Sequence, residues 1–282
     1  MDMLRLDHQT VMHYLPDRLP DSHKGNYGKI LLLCGSVGFT GAAALAAMGA
    51  LRCGAGLVYL GVPGEIYDIE AVKLTEPIVF PLPGEDGKLS AAAIEPVKEK
   101  LDQMDAILIG CGLGQSDGVF QVVKYILEHF NGPVVLDADG INVLHGHKDI
   151  LRGRSAPTVM TPHMGEYIRF CSDGKKVDNS HVCDLANDLG VIVVLKGHHT
   201  IITDGNILYQ NHTGNPGLAA GGSGDVLAGM IVSLLGQKLS PPVAAACGVW
   251  LHGAAADICA GEIGQYGMIP SDLLKVIPRL LK

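Results

Sequence analysis

With 282 residues, 37 glycines and only 18% charged residues against 48% hydrophobic ones, the chain has the make-up of a compact enzyme and not of a disordered protein. A net charge of −8 with no strongly basic segment excludes nucleic acid and an anionic membrane surface as expected partners. An anionic small molecule stays open, because local N–H groups or a metal hold one against the global field.

Seven scattered cysteines, with no CxxC, read as buried free thiols of a reducing cytoplasm. The first twenty residues carry Asp2, Arg5, Asp7, Asp17 and Arg18 and no apolar signal core. The longest small-apolar stretch, 41–64, is broken by Arg52, so no membrane span is expected.

Residues 1–24 read as an N-terminal helix and an extended arm, broken at Pro16 and Pro20. The apolar run Lys29 to Cys34 predicts a buried parallel strand, followed by a flexible loop, Gly35 to Gly41, and a small-residue helix, Ala42 to Cys53. That loop lacks the Lys-Ser/Thr ending of a Walker A motif, and no GxGxxG follows a strand. Leu57 to Val62 is a second strand; residues 64–100 are poorly defined apart from a helix from about Ser90 to Leu101. A strand at 106–110 ends in Cys111-Gly112-Leu113-Gly114, and a helix follows at 116–130. The strand Pro133 to Leu136 ends in Asp137-Ala138-Asp139, and Thr158 to Met160 ends in Thr161-Pro162-His163-Met164-Gly165-Glu166. A helix near 179–189 leads to the strand Val191 to Leu195, ending in Lys196-Gly197. Thr200 to Gln210, with Asp204-Gly205-Asn206 at its middle, reads as a β-hairpin, and two small-residue helices, about 223–236 and 242–261, close the chain.

Strands alternating with helices predict one α/β domain over 1–282, a three-layer α/β/α fold with a mostly parallel central sheet and a late antiparallel hairpin. Ligands bind such sheets at the C-terminal ends of the strands, where nearly every polar cluster of this chain falls.

The organising stretch is Asn215-Pro216-Gly217 through Gly222-Ser223-Gly224-Asp225. Bare loop N–H groups and the unpartnered N–H groups of a first helical turn form a pocket for phosphate. A carboxylate there repels a bound phosphate, but makes sense as a base beside a transferring group. The plain alternative is that Ser223 or Asp225 caps a helix. Asp137 and Asp139 either hold magnesium, directly or through water, or form a turn. Thr161 reads as an N-cap with Pro162 at the first helical position, while His163 meets a ligand and Glu166 organises magnesium-bound water. Lys196, Gly197, His198, His199 and Thr200 are either phosphate contacts or a solvated turn. As metal ligands, His198-His199 and His145-Gly146-His147 read as surface residues.

Taken in order, Asn26-Tyr27-Gly28-Lys29, Gly35-Ser36 through Gly41-Ala42-Ala43, Ala50 through Leu57, Asp137 through Gly140, Thr161 through Glu166, Lys196 through Thr200 and Gly214 through Leu227 closely resemble the ADP/ATP-dependent NAD(P)H-hydrate dehydratases. That family has the ribokinase-like fold, and the resemblance covers about residues 24 to 265. It implies nucleotide-driven dehydration of (6S)-NADHX or (6S)-NADPHX, with ADP the expected phosphate donor over ATP. It also implies Asp225 as base, with Gly222, Ser223 and Gly224 stabilising the transferring phosphoryl. Nucleotide contacts would fall on Lys196 to Thr200 and Gly224. Hydrate contacts would fall on Ala43 or its neighbour Ala42, Gly114, His163 and Asp225, and Mg²⁺ near Asp137 and Glu166. A stand-alone, cytoplasmic homotetramer is the expected form. Pro162-His163 in place of the superfamily's Pro-Asn fits the dehydratase branch. Two rivals are a vitamin-precursor kinase of the same fold, and a ligand sensor that has lost turnover.

Overall fold

The computed structural model describes residues 3–4, 6–171, 174 and 177–281. Among the described residues there are twelve strands: β1 (Met3–Leu4), β2 (Lys29–Leu33), β3 (Leu57–Pro63), β4 (Ile78–Leu82), β5 (Gly84–Glu85), β6 (Lys88–Leu89), β7 (Ala106–Ile109), β8 (Val134–Leu136), β9 (Thr158–Met160), β10 (Ile192–Leu195), β11 (Ile201–Thr203) and β12 (Leu208–Gln210). Ten of them form one sheet in the order β1-β12-β11-β10-β9-β8-β7-β2-β3-β4, while β5 and β6 pair as a separate small hairpin. Only β11 runs against the rest of the sheet, since β12 turns back and β1 pairs parallel with it. The α/β sheet and its late hairpin therefore stand as read from the sequence.

Alternation along the strands builds two cores. Ile30 and Leu32 of β2 point to one face and Leu31 and Leu33 to the other; Leu108 and Ile109 of β7 divide the same way. The first face is covered by helices Thr40–Arg52, Ser223–Gly236, Pro241–Ile263 and Pro270–Leu280, the second by Ile94–Leu101, Asp117–His129 and Asn179–Leu189. Three layers result. Two helices of the first face meet at backbone distance, because a Cβ on Gly229 would lie 2.1 Å from Ala46 O and one on Gly49 would lie 2.6 Å from Val226 O.

Pro241–Ile263 is the one helix among the described residues long and apolar enough to cross a membrane, and two-thirds of its apolar window is buried inside the fold. The segment unread in the sequence holds the helix Gly64–Lys73, then β4 and the β5–β6 hairpin. β4 lies at the sheet edge, where Pro81 removes no ladder bond that a central strand needs. The chain does not close on two small-residue helices: Pro270–Leu280 follows them, with Pro270 in its first turn and Leu273, Val276 and Ile277 buried. At the other end the expected helix is the short His8–Tyr14, capped by Asp7, and β1 joins the sheet.

Candidate active site

The site lies where the strands end. Helix Ser223–Gly236 starts at Gly222, whose φ of 98° is open to glycine and strained for other residues. No side chain caps that helix; the Ser223 N–H donates to Ala220 O at 3.3 Å, and the Gly224 and Asp225 N–H groups meet no capping side chain. The preceding loop is fixed to helix Pro241–Ile263: the Gly214 N–H donates to Asp257 Oδ2 at 2.8 Å, and Asn215 Nδ2 to Asp257 Oδ1 at 3.0 Å. Asn215 Oδ1 in turn accepts the Gly217 N–H at 3.0 Å, and Thr213 Oγ1 donates to Trp250 O at 2.9 Å.

At the ends of β8 and β10, Lys196 Nζ donates to Asp137 Oδ1 at 2.7 Å, and Thr161 Oγ1 donates to the same oxygen at 2.6 Å. Burial opposes the Lys196 charge, but the adjacent Asp137, with Glu166 and Cys111 beyond, leaves its pKa raised. Cys111 Sγ donates to Asp137 Oδ2 at 3.5 Å. One ligand atom from each of Cys111, Asp137 and Asp225 lies within 4.8 Å of the others. Burial, and then the Asp137 charge, push Asp225 up to about 6, against the opposing pull of the Cys111 hydrogen bond and of Lys196. A carboxyl so placed loses and regains a proton near neutral pH, as a general base must. Lys196 also reaches the glycine loop, since a Cβ on Gly224 would lie 3.1 Å from its Nζ.

A cavity of about 870 Å³ opens beside this group. Lys196 to Thr200, Ser223, Gly224 and His163 line it, so the segments expected to hold nucleotide come together. Leu218, Leu227 and Val249 give it an apolar wall, and the exposed rings of His198, His199 and His212 stand in an edge-to-face chain, with centroids 3.9 and 4.7 Å apart. His252 also lines it and went unread in the sequence, hidden among the small apolar residues of its helix. It is buried, its Nε2 lies 3.4 Å from Ser223 Oγ, and burial lowers its pKa to about 4, so the ring is neutral.

Three expectations change. Thr161 is not an N-cap: its hydroxyl turns inward to Asp137, and the helix begins at Met164. His163 takes the capping place, its Nδ1 accepting the Gly165 and Glu166 N–H groups at 2.9 and 3.3 Å, while Glu166 Oε2 accepts the His163 N–H at 2.8 Å. Ala43 is fully buried against Gly35, which leaves Ala42 as the half-buried member of that pair. Asp139 is turned away from Asp137 by Ala138, held at φ 47°; it binds the Gly114 N–H at 2.8 Å and Gln115 Nε2 at 3.2 Å. Ala42 and Gly114 do not line the cavity; Ala42 packs beside Gly112, on the Cys111 side of Asp225. Asp225 itself is not among the cavity's lining residues, whereas its neighbours Ser223 and Gly224 are.

Direct magnesium ligation by Asp137 and Glu166 does not fit this donor set. Asp137 Oδ1 already accepts two hydrogen bonds, Glu166 is spent on the His163 cap, and the neighbouring thiol is a soft donor that a hard ion avoids. An ion held by nucleotide phosphates, with these carboxylates reaching its waters, does fit.

Comparison with known proteins agrees with the geometry. A family described as NAD(P)H-hydrate dehydratase matches residues 30–279. The chain is 42% identical over 275 residues to the bifunctional NAD(P)H-hydrate repair enzyme Nnr of Moorella thermoacetica, covering 95% of this chain and 52% of that protein. It thus spans about half the length of such relatives. It is 35% identical to the ADP-dependent (S)-NAD(P)H-hydrate dehydratase of Bacillus subtilis, covering 97% of this chain and 96% of that one. A crystal structure of the ADP/ATP-dependent NAD(P)H-hydrate dehydratase from Bacillus subtilis, co-crystallized with ATP/Mg²⁺, superposes with a TM-score of 0.83 at 32% identity, covering 99% of this chain and 98% of that one. A ribokinase-like superfamily protein of Enterococcus faecalis gives 0.84 at 26% identity, covering 99% and 95%. With the fold, the glycine-started helix and these likenesses in agreement, the chain belongs to the NAD(P)H-hydrate dehydratase family.

Proposed function

We propose that this protein dehydrates (6S)-NADHX and (6S)-NADPHX to NADH and NADPH, consuming ADP, or ATP, and releasing AMP, or ADP, with phosphate. The observation that carries this reading is the placing of Asp225. It is a carboxyl with a pKa of about 6 in the uncapped first turn of a helix whose Ser223 and Gly224 line a cavity of about 870 Å³. Asp225 takes the proton of the hydrate's hydroxyl, whose oxygen then bonds to the terminal phosphorus as the bond to the leaving nucleotide breaks. The Gly222 to Gly224 N–H groups and Lys196 take up the charge on the phosphoryl oxygens. Elimination then breaks the C–O bond, inorganic phosphate leaving with the electron pair, while the neighbouring ring carbon gives up a proton to solvent and its C–H electrons form the ring double bond. Water leaves poorly at neutral pH and phosphate leaves well, which is why a nucleotide is spent.

Lys196 to Thr200 and Gly224 hold the nucleotide; Ala42, Gly114, His163 and Asp225 hold the hydrate. Asp137 and Glu166 are the carboxylates that would reach the waters of a nucleotide-borne magnesium ion, which would supply neutralisation of phosphate charge. Cytoplasmic residence is supported by seven cysteines that form no disulfide among the described residues, six of them buried. A homotetramer rests on the family resemblance alone.

The test is recovery of NADPH absorbance from purified (6S)-NADPHX with Mg²⁺ and either ADP or ATP. Recovery that needs nucleotide and collapses in Asp225→Asn supports the reading and identifies the donor. No recovery from folded protein with either nucleotide overturns it and returns the case to a small-alcohol kinase.

A further inference from the structure

One wall of the cavity hangs on a carboxylate that stands outside it. Residues 213–216 and 218–220 line the cavity together with 196–200, and Asp257 does not. That wall meets helix Pro241–Ile263 at Trp250, Gly253 and Asp257, positions that helical spacing puts on one face. Beside the Thr213 bond to Trp250 O, the main chain itself lies on the helix: a Cβ on Gly253 would stand 2.3 Å from Thr213 Oγ1 and 2.6 Å from its carbonyl carbon. Asp257 is exposed and pairs with no cation among the described residues; both of its oxygens are spent on the wall, one on the Gly214 N–H and one on Asn215 Nδ2. The hold passes onward. Asn215, fixed by its Nδ2, turns Oδ1 to the Gly217 N–H and so caps the short turn Pro216–Leu218 that presents Leu218 to the cavity. Gly214 sits at φ 103°, and a glycine hinge has many other conformations to choose from.

We infer that Asp257 is the positioning residue of the nucleotide cavity, selecting the one conformation of residues 213–220 in which the wall is formed; the assignment rests on the reading of this cavity as the nucleotide site. A protein whose wall is formed only part of the time binds ligand with affinity reduced by that fraction. The chemical step starts from the bound state, in which the wall is formed whatever its earlier freedom. Loss of Asp257 therefore shows in nucleotide affinity and spares turnover at saturation.

The test separates those two quantities and adds an observation that needs no ligand. Asp257→Ala, an exposed change to a strong helix former, raises the calorimetric Kd for ADP with Mg²⁺ about tenfold and KM for ADP alike, with kcat within about threefold. Amide exchange speeds up at Gly214 and also at Gly217, which Asp257 reaches only through Asn215. Asp257→Asn, matched in shape, does the same, because its amide sets one N–H donor against another. Adding Asn215→Asp exchanges donor and acceptor at unchanged net charge, rebuilds all three bonds and returns the protection of Gly217. An Asp257→Ala protein with wild-type Kd, a fall in kcat at unchanged Kd, a Gly217 amide indifferent to the change, or an exchanged pair that stays unprotected overturns the assignment. Wild-type protein that binds neither ADP nor ATP overturns the functional reading and this inference together. Wild type that binds ADP no better than Asp257→Ala sinks the inference alone.

Discussion

Lys196 pairs with Asp137 at 2.7 Å, and Asp225, close to both Asp137 and Cys111, has no ion pair among the described residues. The two acids therefore differ in kind: one is half of a buried ion pair, the other a carboxyl that burial pushes up to about 6.

Removing one half of the buried pair exposes the other to an unfavourable environment. Lys196→Met lowers unfolding stability by about 3 kcal/mol, because Asp137 is left charged and buried. Adding Asp137→Asn recovers part of that loss, so the double variant costs less than the sum of the singles. Urea unfolding of the four proteins in the cycle measures the coupling.

Asp225→Asn lowers kcat by about 10² to 10⁴-fold, the range for loss of a general base, with ADP affinity within about threefold. In the wild type kcat/KM is low below pH 6, rises through an inflection near the Asp225 pKa of about 6 and levels off above it. The direction follows from the base acting only when ionised. A profile without that inflection contradicts the assigned pKa.

His252 supplies a pH effect on stability. Its folded pKa is about 4 and its ordinary value 6.5, so between those limits the unfolded chain binds the proton and the folded one does not. Stability therefore falls as pH drops from 6.5 to 4, by about 3 kcal/mol in all. His252→Gln removes this component, and the difference between the two stability–pH curves isolates it from the carboxylates.

Gly229→Ala forces a methyl group against Ala46 O and costs about 1 to 3 kcal/mol. Gly261→Ala, also within a helix but in open space, gains about 0.5 to 1 kcal/mol from helix propensity. Thermal melts of the two variants should move in opposite directions.

Much of the sheet was legible because buried parallel strands are written as continuous apolar runs, as in Ile30 to Leu33 and Ile192 to Leu195. Edge elements carry no such mark. β4 contains Pro81, β5 and β6 have two residues each, and the Gly64–Lys73 helix buries only Ile66 and Glu70. Among site residues, the motif-borne glycines and Asp225 stood out, while His252 did not, because its role depends on a packing partner 29 residues earlier in the chain. The cap beside His163 was misplaced by two residues because Thr161 has a stronger local bias to cap than histidine, and the buried Asp137 claimed its hydroxyl first.

The backbone contact between helices Thr40–Arg52 and Ser223–Gly236 has a kinetic meaning. One helix begins at the glycine loop 35–41 and the other at the Gly222 turn, and with Gly49 and Gly229 at the crossing no side chain is present to yield between them. The two loops form a single anvil, and the gap between them is set by main chain. Any breathing that admits substrates or frees products then falls to the rim, at residues 197–200. Slow product release would then respond to changes in that segment and be insensitive to the floor.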